Sequence, residues 1–131
     1  MSRSKKTPLN PWESVNPTME KHFSRLGDSL MDSEIFNSLS SYARLLYLYM
    51  IRASAGKETF TFQHGFYTRY RITDSTFGRL RDELVNAGFI KVVQNNKTVR
   101  KANVYQFSNA WKMHEGKRDK IIHYDFSALS Q

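Results

Sequence analysis

Ser75, Thr76 and Arg79 sit in a helical pattern whose apolar residues, Phe77, Leu80, Leu84 and Ala87, all use a different side. With about 100° between successive side chains, the outward positions from Thr73 to Ala87 are Ser75, Arg79, Asp82 and Asn86, with Thr76 on the flank. These types in the leading half of a helix have a definite chemistry. An Arg fork bonds bidentately to guanine, Ser and Thr hydroxyls bond bases or phosphates, and the positive N-terminal end of a helix favours an approaching phosphate. Lys97, Arg100 and Lys101 in "NNKTVRK" would reach the adjacent minor groove or backbone of the same duplex, Arg69 on the preceding helix a flanking phosphate, and Thr73 at the helix start belongs to the same contact set. Asp82 and Glu83 lie further along, where the helix would leave the groove and where their charge would be unwelcome near phosphate. The bland alternative is a solvated helix face with Thr73 as its cap, and a loop whose lysines only discourage edge pairing.

Other chemistries lack their residues. There is no cysteine, hence no disulfide, thiol nucleophile or thiolate metal site. His22, His64, His114 and His123 are dispersed and show no paired-ligand spacing. No nucleophile elbow, Gly-rich phosphate loop or acid/base pair occurs, so no enzyme, metal, cofactor or small-molecule ligand is expected. The aromatics of "FTFQHGFYTRY" could offer a stacking platform for single-stranded bases, but their strand and helix spacing points to core packing.

The elements that must position these residues follow from local pattern. Residues 1–17 hold all three prolines among Ser, Asn and Lys, which is tail composition, with Trp12 as a candidate anchor. Ser33 is placed to cap a short turn through Ile35 and Phe36. Ser40 or Ser41 caps the next helix, where Ala43, Leu46, Met50 and Ala53 form one face. Leu45, Leu48 and Tyr49 cover much of the rest, which predicts burial by several neighbours, and Gly56 is the expected left-handed stop. "ETFTF" alternates like a short strand, and Phe66, Tyr67 and Tyr70 mark a second helix. After a break at Arg71–Ile72, Thr73 caps the third helix and Gly88 ends it. "FIKVVQ" and "ANVYQF" then read as a hairpin turning at Asn95–Asn96, and Trp111 as a side chain packing back. Gly78 is costly within a helix, and a close backbone approach would account for it.

At 131 residues, with 40% hydrophobic and 14% aromatic residues, the chain supports one core with tails. Its +8 charge and pI near 9.8 favour a polyanionic partner. Up to residue 37, Arg3, Lys5, Lys6, Lys21 and Arg25 balance Glu13, Glu20, Asp28, Asp32 and Glu34, so the excess lies beyond. The longest apolar run, Leu45 to Ile51, is far below the roughly 18–20 residues of a membrane span. "MSRSKK" is followed by "TPLNPWES" instead of an apolar stretch, so a cytoplasmic, nucleoid- or element-associated location is expected.

Helix, strand, helix, turn, helix, strand, basic loop, strand is the order of a winged helix-turn-helix: α+β, mainly helical, with a three-helix core, a short strand and a two-stranded wing. The expected divisions are a tail over 1–22, the winged domain with its lead-in over 23–113, and a basic tail over 114–131. Residues 36–112 resemble small winged-helix proteins of bacterial mobile elements and phages. The first half of that stretch is similar to the N-terminal domain of plasmid replication initiators. The "AxxLYLY" helix, the "STF…L…LxxxGFI" junction and "NxYxFSxxW" carry the resemblance. It implies binding of double-stranded DNA, in transcription or replication control, with 73–87 as the reading helix and 94–102 as the wing. Such proteins often have Gly in the turn before the reading helix, where this chain has Arg71. Many bind as dimers, and a homodimer seam over Phe23–Leu39 or the C-terminal tail fits that habit. The rival expectation is a protein-docking module in a DNA-transaction complex, with the apolar "IIHYDF" as its best support.

Overall fold

In the computed structural model, residues 9–94 and 103–113 are described. Among the described residues the elements with both ends in view are, in chain order, α1 (Asp28–Met31), α2 (Glu34–Ser38), α3 (Ser41–Ser54), β1 (Thr59–Thr61), α4 (His64–Arg69), α5 (Asp74–Ala87), β2 (Ile90–Gln94) and β3 (Val104–Phe107), and residues 111–113 are also helical. The architecture is α+β, in an order compatible with a winged-helix layout.

Local chemistry sets most boundaries. The Ser33 hydroxyl accepts from Phe36 N at 3.3 Å and starts α2; that of Ser40, not Ser41, accepts from Ala43 N at 3.2 Å and starts α3. Thr73 Oγ1 accepts from Thr76 N at 3.3 Å and starts α5. Gly88, at φ 87°, ends α5 in a Schellman arrangement, with Gly88 N bonded to Val85 O at 3.1 Å and Phe89 N to Leu84 O at 3.0 Å. The end of α3 differs from expectation: Ala55, at φ 52°, takes the left-handed cap, and Gly56, at φ 83°, follows it.

The sheet has the order β1-β3-β2, antiparallel throughout. The strand between the first two long helices is therefore not isolated, since Phe60 faces Tyr105 across the β1–β3 ladder. On the other side Ile90 pairs with Phe107 and Val92 with Tyr105, with a register shift between Val92 and Gln94. The turn expected at Asn95–Asn96 and the "IIHYDF" segment lie outside the described residues.

One core joins helices and sheet. Leu46 and Met50 from α3, Leu80 and Leu84 from α5, and Phe89 and Ile90 at the start of the hairpin are fully buried. Phe36, Tyr47 and Phe89 meet edge to face, and Trp111 stacks on Phe89 with centroids 5.4 Å apart. A second aromatic group, Phe62, Tyr67 and Phe77, locks β1, α4 and α5 together, with Tyr67 and Phe77 parallel at 4.3 Å. The aromatics of "FTFQHGFYTRY" are thus largely core.

Two burial expectations fail. Leu45 and Leu48 are 40% and 41% exposed, because α3 meets α5 and β1 on one side and no element of the described residues lies over the other. Trp12, 82% exposed, does not join the core of the described residues. The chain first packs on the core at Leu26.

Candidate nucleic-acid interface

The turn between α4 and α5 sets the direction in which α5 presents its first residues. Arg71 N donates to Thr68 O at 2.9 Å and Ile72 N to Tyr67 O at 3.0 Å, the same Schellman pattern that Gly88 makes at the far end of α5. Here the left-handed position belongs to Arg71, at φ 63°. A side chain in that conformation costs about 1–2 kcal/mol, which Gly would avoid. The tight turn is therefore made without a glycine, and it leaves an exposed Arg at the entrance to α5.

Side chains then fasten the helix start. Asp74 Oδ1 accepts from the Tyr67 hydroxyl at 2.7 Å and lies 3.0 Å from His64 Nδ1. Hydrogen bonds from Tyr67 and then His64 hold the Asp74 carboxyl below its ordinary value of 3.8. Burial first, and the carboxylate bond second, push the Tyr67 hydroxyl up to about 12. Thr73 Oγ1 donates to Thr76 Oγ1 at 2.9 Å while accepting from Thr76 N, so both hydroxyls serve the cap.

Beyond the cap the outward ridge is as the helical period requires. Ser75, Arg79, Asp82 and Asn86 are exposed, while Phe77, Leu80 and Leu84 are buried; Thr76 is half-buried on the flank. Arg69, the last residue of α4, is exposed with its guanidinium 5.9 Å from the Phe66 ring centre. Gly78 has the end of Arg81 at 3.8 Å from where a side chain would begin, and no backbone of another described element crowds it. Lys97, Arg100 and Lys101 lie outside the described residues.

Every carboxylate of α5 is occupied. Asp74 is held by Tyr67 and His64, Asp82 pairs with Arg81 at 3.2 Å, and Glu83 binds Ser40 through both oxygens at 2.6 and 2.8 Å. Arg81 is half-buried, 5.7 Å from the Phe77 ring centre; burial opposes its charge, but hydrogen bonds to Tyr105 and Asp82 outweigh that and raise its pKa. Arg79 is therefore the one cation of α5 with no partner among the described residues.

Sequence reasoning placed Ser75 and Arg79 outward, and the structure brings them to one ridge. It did not single out Arg71, whose exposed side chain stands at the entrance to α5, although an Arg where Gly is common was itself a signal. It also had no way to see which acids were neutralised. No family model matches this sequence, and comparison with curated proteins and with solved structures finds no match.

Proposed function

We propose that this protein is a winged helix-turn-helix DNA-binding regulator acting in transcription or replication control, in the manner of bacterial mobile-element proteins. Its reading helix, 73–87, lies in the major groove, and its wing, 94–102, lies on the adjacent backbone or minor groove. The supporting observation is the charge arrangement of α5: each acid has a donor within the fold, while Arg79, beside Ser75, has none. Arg79 then reads a base edge, Ser75 and Thr76 bond base or phosphate, and Arg69 and Arg71 hold phosphates flanking the helix start. Thr73 contributes through the cap it makes. Lys97, Arg100 and Lys101 add sequence-independent attraction from the wing, and the cytoplasm or nucleoid is where such a duplex is met.

Selection of random duplex DNA by the whole chain, near physiological salt and with Arg79→Ala alongside, tests the reading. A recovered motif that changes at one base pair in the variant, with a loss of about 1–3 kcal/mol, is the expected result. Exposed Asp82 on the same ridge favours a second reading, a protein-docking helix. Salt decides between them, because DNA binding weakens with a slope near −0.9 per neutralised phosphate and a largely apolar contact hardly responds. Failure to retain DNA at any salt would overturn the DNA reading.

A further inference from the structure

On the side of the core where α3 ends, the lead-in segment, the turn after α3 and β3 border an open cavity of about 300 Å³. Ile51, Phe107 and Tyr47 supply its apolar wall. Arg25 and Lys57, both exposed, add a cation each. Leu26 packs on the core, which holds its neighbour Arg25 at the rim.

The polar groups of this cavity divide unevenly into acceptors already used and donors left over. Glu58 Oε1 accepts from Gln106 Nε2 at 2.9 Å, and Glu58 O from Phe107 N at 3.0 Å. At the end of α3, Ile51 O accepts from the Ser54 hydroxyl at 2.8 Å and Ser54 O from Lys57 N at 3.0 Å. The side chains of Arg25 and Lys57, by contrast, have no hydrogen bond or ion pair among the described residues. Two free cations therefore face one carboxylate that is held elsewhere.

Tyr47 adds a third free donor. Its ring meets Phe36, Phe89 and Phe107 edge to face, and the residue is 6% exposed, yet its hydroxyl has no hydrogen-bond partner among the described residues. Burial pushes that hydroxyl up to about 12, so at neutral pH it keeps its proton and donates. A hydroxyl on so buried a side chain ordinarily finds a partner. What remains open of Tyr47 borders this cavity, so a ligand there is the partner within reach.

We infer that the cavity binds a small organic monocarboxylate with an apolar, ring-sized body. The carboxylate takes Arg25, Lys57 and the Tyr47 hydroxyl, and the body lies against Ile51 and Phe107. A guanidinium fork matches a carboxylate bidentately, and an apolar wall favours a ring over a hydrated inorganic anion. At the roughly 30 Å³ that a water molecule occupies in the liquid, there is room for about ten non-hydrogen atoms, one ring and its acid group. No local motif announces such a site, because its groups come from segments distant in the chain; hence no small-molecule ligand was expected from the sequence. The inference does not depend on the DNA reading.

Titration of the whole chain with benzoate, followed by amide chemical shifts in heteronuclear NMR spectra, tests it. Shifts should centre on Ser54, Lys57 and Phe107, with a Kd on the order of 1 mM or tighter. Benzamide, which keeps the ring and lacks the charge, and inorganic phosphate, which keeps charge and lacks the ring, should each bind at least about tenfold more weakly. Tyr47→Phe retains the ring and its packing and should weaken benzoate binding about tenfold, as should Arg25→Gln with Lys57→Gln on the exposed rim, with thermal melting showing each variant folded. The absence of shifts at those three residues up to about 10 mM benzoate would overturn the inference. So would equal binding of benzamide or phosphate, or benzoate binding indifferent to both sets of substitutions.

Discussion

Both oxygens of the Glu83 carboxylate close on Ser40: Oε2 accepts from its backbone N–H at 2.6 Å and Oε1 from its hydroxyl at 2.8 Å. Ser40 caps α3, so a side chain from α5 completes the start of another helix and sets a negative charge at its positive end. Glu83→Ala should lower stability by about 1–2 kcal/mol in urea denaturation. The recovered DNA motif should not change, because Glu83 faces α3. A changed motif at full stability would contradict this assignment.

Gly88 is required twice over. Its φ of 87° is left-handed, and a Cβ there would fall 2.7 Å from Trp111 N and 2.9 Å from the Ala110 carbonyl carbon. Gly88→Ala should cost about 2–4 kcal/mol, the sum of conformational strain and overpacking. Chemical denaturation showing less than about 1 kcal/mol would mean that the α5–β2 junction yields more easily than its packing indicates.

Arg71 should separate stability from binding. Arg71→Gly removes a left-handed non-glycine residue and should raise stability by about 0.5–1 kcal/mol after the added freedom of the unfolded chain is allowed for. DNA affinity should fall for all sequences, with the salt slope reduced by about 1. A variant both more stable and unimpaired in binding would remove Arg71 from the contact set.

The Tyr67–Asp74 bond predicts pH dependence at both extremes. The folded state lowers the Asp74 pKa, so its contribution is present above the unfolded value of 3.8 and disappears as pH falls through the lower folded value. Tyr67 titrates at about 12 in the fold and at 10.0 when free, so stability should decline as pH rises between them. Tyr67→Phe should flatten the alkaline decline, which Tyr47, also pushed up to about 12 by burial, will keep in part. Unfolding midpoints measured against pH for both proteins check this.

What was legible in the sequence was what a few neighbouring residues decide. Ser33, Thr73 and Gly88 act within their own turns, and the 3.6-residue period suffices to turn Ser75 and Arg79 outward. Periodicity shows that a side is apolar without showing what covers it, which is why Leu45 and Leu48 were expected inside. Pairings between distant residues leave no local mark: β1 with β3, Glu83 with Ser40, Asp74 with Tyr67. For the candidate site, the outward residues could be read, but the neutralisation of its acids could not, because each donor except Arg81 comes from another element.

The parallel stack of Trp111 on Phe89, together with the 3.1 Å bond from Trp111 N to Gly88 O, also fixes the course of the chain beyond β3. It leaves beside the last turn of α5, and the 14 residues of that helix put about 21 Å between this point and Thr73. Met113 is 71% exposed there, in a chain without a native thiol. Met113→Cys would therefore accept a single probe at the end of the helix remote from its Ser75–Arg79 ridge, making α5 a ruler whose far mark can report orientation without disturbing the leading half of the helix.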